Sequence, residues 1–397
     1  MDLRRPRRSH AGRSRPGPLE PEPDGAVVPG PGGRLRERSL DDGGDDHRAD
    51  GARRRHPAAG RHHRAAGEDR RRPARREQPD DPGAGGLRAV SRTVLVTGAA
   101  GRLGRSVVTM LRSAGSAVVA VDRAPGVVDG VQVRAADLAD PHAADTVVAG
   151  CDEVIHLAAI PGPHAAPAAT VFANNTAVTF RVLHAAAARG IRTAVVASSV
   201  SAYGLTFGPA SFSPRYVPID EDHPLTPYDP YGLSKQVDEH TAAMIARSTG
   251  LTVVAPRFGW IATRDMVAER VRQVAADPGA GKSVRELWGY VELGDAARAC
   301  VAALDVRDGH HSVNVLAPDS LSTTPTAQLV ARFHPSTRIR AGLTGTASAW
   351  SGDRAARLLG LGSMWSWRDA DALEGTVSTA DREVPAGGES HEAKGES

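Results

Sequence analysis

Cys151 and Cys300 are the only cysteines in 397 residues. That count excludes a disulfide framework and argues against a structural zinc site, so both thiols are expected to be small buried groups and no metal is expected. No run approaches the ~18 apolar residues a membrane-spanning helix needs, and the N-terminus has arginines but lacks the apolar stretch of a secretory signal. A soluble, cytoplasmic protein is expected. Lysine is also scarce, with 3 Lys beside 46 Arg, as the codon bias of a GC-rich gene produces.

Aromatic residues are missing where charge is densest. Met1 to Arg92 contains 22 Arg and 15 Asp plus Glu, but no Phe, Trp, Tyr or Ile. So few large apolar groups cannot offset the entropy of ordering a backbone, and runs such as Arg53 to Arg55 and Arg70 to Arg72 repel themselves. Residues 1–92 are therefore expected to be a disordered basic tail, or else to lie upstream of a true start near Val90. The tail carries a net charge of +7 and leaves −4 for the rest, so the basic balance belongs to it. Such a tail suits nonspecific phosphate contacts. With no aromatic residue for base stacking, nucleic acid is not the expected partner.

From Thr93 short β-branched runs alternate with Ala-rich helical stretches. Strands are expected at Thr93 to Thr97, Ala117 to Asp122, Val131 to Arg134, Glu153 to Leu157, Thr193 to Ser198, Leu251 to Arg257 and His311 to Val315. Helices are expected at Leu103 to Ser113, Thr170 to Arg189 and Tyr231 to Ser248, then in shorter pieces at Leu293 to Leu304, Pro325 to Phe333 and Asp353 to Leu359. Strands this apolar must be covered on both faces, which predicts an α/β doubly wound parallel sheet. Residues 93–257 would form that sheet with the catalytic residues, 258–375 a small C-terminal substrate lobe, and 376–397 a flexible tail.

The first strand runs into Thr97-Gly98-Ala99-Ala100-Gly101-Arg102-Leu103-Gly104 and then directly into a helix. Glycines there let the backbone turn tightly against a pyrophosphate, while the helix N-terminus supplies free N–H groups. Gly98, Gly101, Arg102, Leu103 and Gly104 thus mark a dinucleotide site of Rossmann type. Asp122 ends the second strand, where its carboxylate can take the adenosine ribose hydroxyls and repel a 2′-phosphate, so NAD is favoured over NADP. Arg102 and Arg123 oppose that preference if they point inward. Asp137, followed by Leu138, stands after the third strand, either against the adenine edge or as a turn residue.

Tyr231-Gly232-Leu233-Ser234-Lys235 opens a helix after Asp229-Pro230, which puts a phenol and an ammonium four residues apart on one face. A free phenol titrates near ~10, and a neighbouring cation stabilises its phenolate. Ser199, at the carboxyl end of the fifth strand, is preferred to Ser198 and Ser201 as the hydroxyl that orients the reacting oxygen; its alternative is a simple turn cap.

These residues together resemble the extended short-chain dehydrogenase/reductase superfamily, in its NAD-dependent epimerase/dehydratase group, over about Thr93 to Asp369. The resemblance rests on the glycine turn, Asp122, Asp137-Leu138, His156-Leu157-Ala158-Ala159, Asn175, Ser198-Ser199 with Tyr203-Gly204, and Tyr231 with Lys235. It implies that Tyr231 moves the proton, Ser199 contacts the substrate hydroxyl, and Lys235 binds the nicotinamide ribose. It further implies that Leu138, Leu157, Ala158, Ala159 and Asn175 belong to the cofactor site, that Asn175 sits on the helix that supports Lys235, and that the chain forms a homodimer through the helices at Thr170 to Arg189 and Tyr231 to Ser248. Nucleotide-sugar epimerases tend to carry Asn three residues beyond Arg257, where this chain has Trp260. Arg257-Phe258-Gly259 and the compact length look more like uronate dehydrogenases, which oxidise a free sugar acid. Dehydratases place an acidic pair beside the serine, where Val200-Ser201 stands here. The expected activity is oxidation of a sugar or sugar-acid hydroxyl with NAD, the alternatives being a nucleotide-sugar epimerase that retains NAD and a non-catalytic NAD-binding module. Arg257 or Arg285 would pair with a substrate anion, or form a structural salt bridge.

Overall fold

Val94, Leu95 and Val96 are all fully buried, the mark of a strand covered on both faces. They lie in β1 (Thr93–Thr97), at the centre of a nine-stranded sheet in the computed structural model, which describes residues 92–369. The expected basic tail, the start near Val90 and the segment 376–397 lie outside the described residues.

In chain order β1 is followed by α1 (Arg102–Ser113), β2 (Ala117–Asp122), β3 (Gly126–Val128), β4 (Val131–Ala135) and α2 (Ala143–Val148). Then come β5 (Glu153–His156), α3 (Ala168–Ala188), β6 (Thr193–Val196), β7 (Ser198–Ser199), β8 (Tyr216–Val217) and α4 (Pro230–Thr249). The remaining elements are β9 (Thr252–Phe258), β10 (Ile261–Ala262), α5 (Arg264–Ala276), β11 (Val291–Glu292), α6 (Leu293–Ala303), β12 (His310–Val315), α7 (Thr326–Phe333), β13 (Arg338–Ile339) and α8 (Asp353–Leu359).

The sheet order is β12-β9-β6-β5-β1-β2-β4-β3, with β7 also on β9. Every pairing is parallel except that of β3, which returns antiparallel onto β4. From β1 the chain builds outward through β2 and β4, then crosses back to β5 and builds the other way. The crevice outside the carboxyl ends of β1 and β5 is thus the switch point where open α/β sheets bind ligands.

One apolar cluster joins α1 and α6 to one sheet face. A second joins α2, α3 and α4 to the other. A third cluster forms the smaller lobe, and it gathers Val200, Tyr203, Val217 and Ile219 alongside Trp288, Tyr290 and Trp350. The lobe therefore draws on chain from both sides of residue 258. The helix α6 and the strand β12, which follow 258, serve the main sheet instead.

Candidate active site

The glycine turn is dictated by close backbone approach. Gly98 has φ +68°, and a Cβ there would stand 2.8 Å from the Ala158 nitrogen on the neighbouring strand-end loop. At Gly104 a Cβ would stand 2.1 Å from the Gly98 carbonyl oxygen, so α1 can pack against the turn only without a side chain. Gly101 caps α1 with no side-chain hydrogen bond, which leaves the first N–H groups of the helix free for an anion.

Asp122 ties the second strand to this turn. Its Oδ2 accepts from the Ala100 N–H at 2.9 Å and its Oδ1 from the Arg123 N–H at 2.7 Å. Arg102 does not turn toward Asp122; its Nη1 donates to the Ile261 carbonyl at 3.3 Å. Asp137 Oδ1 accepts from the Ala139 N–H at 3.0 Å, a turn contact, and the residue also lines the cleft.

Beneath the turn, Thr97 Oγ1 lies 2.7 Å from His156 Nδ1 and accepts from the Leu157 and Ala158 N–H groups at 3.2 and 3.3 Å. Burial, with a smaller push from Lys235, lowers His156 to about 3 and keeps its ring neutral. Asn175 accepts from the Ile160 N–H at 2.8 Å, and its Nδ2 reaches the Ile160 carbonyl and Ser234 Oγ, each at 3.2 Å. Its amide thus clamps the loop after β5 to α4. Asn175 stands behind the wall and does not line the cleft; its neighbour Asn174 does. Asn175 therefore does not face the cleft, and its side chain joins α4 through Ser234.

Asp229 caps α4, accepting from the Gly232 N–H at 2.8 Å, and Pro230 occupies the first turn. A Cβ on Gly232 would come within 2.6 Å of the Ser201 carbonyl oxygen, so α4 presses its first turn onto the chain that carries Ser199. One turn on, the Lys235 ammonium lies 5.8 Å from the Tyr231 ring centroid and 3.0 Å from Asp238 Oδ2. Both Lys235 and Asp238 are buried. Burial pulls the ammonium down, and Asp238, Tyr231 and Glu239 together carry it above its ordinary value. The i+3 spacing from Lys235 could have revealed Asp238 in the sequence.

Ser199 and Ser198 point to opposite sides. Ser198 Oγ is buried and donates to Glu239 Oε1 at 2.5 Å. Ser199 Oγ accepts from the Ser201 N–H at 3.1 Å, donates to Ser201 Oγ at 3.0 Å, and its residue lines the cleft. It is both a turn cap and a cleft hydroxyl.

The cleft has a volume of about 820 Å³, within the range of small-molecule sites. Gly98, Gly101, Arg102, Leu103, Gly104, Asp122, Asp137, Leu138, Leu157, Ala158 and Ala159 line it toward the turn, and Ser199, Tyr231 and Lys235 line it at the other end. Thr206, Phe207, Trp260 and Glu286 complete that end. They come from loops without periodicity; of the four, only Trp260 stood out in the sequence, as the residue where nucleotide-sugar epimerases tend to carry Asn.

Neither arginine considered for a substrate anion lines the cleft. Arg257 is paired with Glu239 through two bonds, Nε to Oε1 at 2.8 Å and Nη2 to Oε2 at 2.6 Å, and its Nη1 donates to the Tyr203 hydroxyl at 2.7 Å. With each nitrogen engaged and the side chain 6% exposed, it belongs to the scaffold under β7 and β9. Arg285 donates to the Gly208 carbonyl at 3.4 Å. Among the described residues no cluster of metal-ligating side chains occurs, and no helix is long and apolar enough to cross a membrane.

Residues 94–315 match the model of the NAD dependent epimerase/dehydratase family. An L-arabinose 1-dehydrogenase (NAD(P)(+)) of Haloferax volcanii is 29% identical over 247 residues, 60% of this chain and 94% of the dehydrogenase. A UDP-glucose 4-epimerase of Azospirillum brasilense is 32% identical over 189 residues, 45% of this chain; the match spans only 51% of the epimerase. Among solved structures, MoeE5 in complex with UDP-glucuronic acid and NAD superposes with a TM-score of 0.52 at 28% identity, covering 69% of this chain and 94% of MoeE5.

Proposed function

Since the chain belongs to the NAD dependent epimerase/dehydratase family, we propose that it is an NAD-dependent oxidoreductase that oxidises a hydroxyl of a small sugar or sugar acid, with Tyr231 as the acid/base. The observation that carries this reading is that Ser199, Tyr231 and Lys235 line one end of the cleft whose other end is the glycine turn. The cleft suits NAD on its own terms. The turn can close this tightly only because Gly98 and Gly104 carry no side chain, the α1 N-terminus is uncapped, and a carboxylate stands at the end of β2.

When bound, NAD supplies the acceptor for the hydride that leaves the substrate carbon. The protein handles the proton. Ser199 Oγ holds the reacting oxygen, the Tyr231 phenolate removes its proton, and Lys235 stabilises that phenolate while holding the nicotinamide ribose. The carbon thus loses a hydride and the hydroxyl a proton, leaving a carbonyl. Asp122 favours NAD over NADP by its charge.

The same proposal includes a cytoplasmic enzyme that works as a homodimer. Both cysteines are free, and α3 and α4 present Phe180, Leu233 and Met244 to solvent at 39 to 44% exposure. Paired across a twofold axis, those side chains would be covered.

The test is to incubate the protein and its Tyr231→Phe variant with NAD and a panel of free sugars, uronic acids and nucleotide sugars, recording NADH absorbance and product identity. NADH that depends on Tyr231 is the expected result. An epimerised product without NADH would instead favour a nucleotide-sugar epimerase, and no reaction despite NAD binding would favour a binding module.

A further inference from the structure

Two aromatic rings at the catalytic end of the cleft stand apart from the core. Tyr231 and Phe207 both line that end and are half-buried, yet neither belongs to any of the three apolar clusters. They pack on each other instead. Their centroids are 6.4 Å apart and their planes meet at 88°, the T-shaped arrangement that aromatic quadrupoles favour. Among the described residues Tyr231 pairs with no other ring.

Phe207 is itself fastened on several sides. The Gly208 N–H donates to the Leu205 carbonyl at 3.2 Å, and a Cβ on Gly208 would stand 2.3 Å from the Gly204 carbonyl oxygen, so the ring is carried on a turn closed by main chain against main chain. Leu205, in the same turn, is buried in the smaller lobe. The segment between α5 and β11 reaches this turn twice. Lys282 Nζ lies 4.8 Å from the Phe207 ring centroid, and Arg285 Nη1 donates to the Gly208 carbonyl at 3.4 Å. Lys282 has no ion-pair partner among the described residues, and its ammonium stands within the roughly 6 Å over which a cation is attracted to a ring face. The His164 ring adds a further edge contact, 6.1 Å away at 83°.

Resting on the oxidoreductase reading above, we infer that Phe207 is a positioning residue for the proton transfer: it holds the side chain of Tyr231, and Lys282 together with the Gly204 to Gly208 turn holds Phe207 for that task. The Gly232 contact places the main chain of Tyr231 but leaves its side-chain torsions free. A swing about the Cα–Cβ bond would carry the phenolic oxygen away from the reacting hydroxyl, and the Phe207 ring stands beside the phenol to limit that swing. Displacement by about 1 Å can cost a reaction roughly 100-fold in rate, so one packed ring is enough to matter.

The test compares wild type, Phe207→Ala, Phe207→Tyr and Lys282→Met. Single-turnover formation of NADH is followed with L-arabinose, D-galactose and D-galacturonate as probes, with NAD affinity and the sugar KM measured alongside. Each protein is also made with fluorotyrosine; the chain has five tyrosines, and the Tyr231 resonance is assigned by its absence in Tyr231→Phe. In Phe207→Ala the single-turnover rate should fall about 10- to 100-fold with NAD affinity unchanged and the sugar KM moved much less, and the Tyr231 resonance should shift toward that of free fluorotyrosine. Phe207→Tyr keeps the ring and should retain most of the rate. Lys282→Met keeps the length without the charge and should lose about two- to fivefold. If Phe207→Ala does not fold, Phe207→Leu, which keeps apolar bulk without a ring, carries the same test. A folded variant lacking the ring that reacts at the wild-type rate, or that raises only the sugar KM, would overturn the inference, and Lys282→Met at the wild-type rate would remove the lysine from it. No NADH from any probe with wild type would overturn the oxidoreductase reading, and the Tyr231 resonance would still decide whether Phe207 holds the phenol: unmoved in the ring-less variant, it would show that Phe207 does not.

Discussion

Replacing Asp238 by Asn removes a buried negative charge from beside the Lys235 ammonium while keeping the side chain's volume. In the native protein the two groups are 3.0 Å apart and neither is more than 5% exposed, so little water screens them. Two unit charges about 3 Å apart at an effective dielectric of about 20 attract by roughly 5 kcal/mol. Loss of that attraction leaves burial, which disfavours the charged ammonium, opposed only by Tyr231 and the more distant Glu239. The wild-type ammonium, held above its ordinary value, stays protonated across pH 6 to 10, and activity should not fall on the alkaline side. In Asp238→Asn the ammonium should lose its proton within that window, and kcat/KM should acquire a falling alkaline limb as Tyr231 loses its neighbouring cation. The assay is a pH–rate profile for both proteins, with circular dichroism and NADH affinity to confirm folding. A folded variant whose profile is superimposable on wild type would refute the idea that Asp238 keeps Lys235 charged.

Further outcomes follow from the same network. His156 sits at about 3 in the folded protein, below its ordinary 6.5. The unfolded chain therefore takes up the proton first, and the stability present above pH 6.5 is lost as pH falls toward 3, by at most about 1.4 kcal/mol per pH unit; urea midpoints from pH 7 to 4 should fall less steeply in His156→Asn, and equal slopes would exclude this source. Asp122→Asn should weaken NAD by about tenfold and let NADP compete, read as the ratio of the two cofactor KM values; an unchanged ratio would remove Asp122 from cofactor choice. Glu239→Gln leaves the Arg257 guanidinium buried and unpaired, a loss of about 3–5 kcal/mol in denaturant unfolding. If Arg257→Gln instead raised the sugar KM without lowering stability, Arg257 would face the substrate after all.

The main sheet was readable because strands buried on both faces appear as unbroken apolar runs, and β1, β2 and α8 fall where the pattern placed them. Other ends moved by one or two residues, as helix caps and strand exits do: the helix expected from Tyr231 begins at Pro230, and the strand expected from Leu251 begins at Thr252. The strand β3 escaped although Asp129-Gly130, both at positive φ, is a hairpin signal between valine pairs. The helix α5 escaped because only Val267 and Val274 of its thirteen residues are buried, too thin a stripe for a period. In the site, residues attached to regular elements were legible, since the glycine turn, Tyr231 and Lys235 occupy fixed places on a strand and two helices. Arg257 was visible as a residue but not in its role, because its partner Glu239 is eighteen positions away on another element. Thr206 and Glu286 had no signal, being placed by the tertiary packing of loops.

The contact between Gly232 and the Ser201 carbonyl has a consequence for how such an enzyme can change. The first turn of α4, which carries Tyr231, is set against the chain that carries Ser199 by one main chain resting on another. Thr206, Trp260 and Glu286 line the cleft but take no part in that contact. On the function proposed above, substitutions there would retune which sugar enters, whether by selection in nature or in a mutant library, while the placing of Tyr231 against Ser199 is inherited intact.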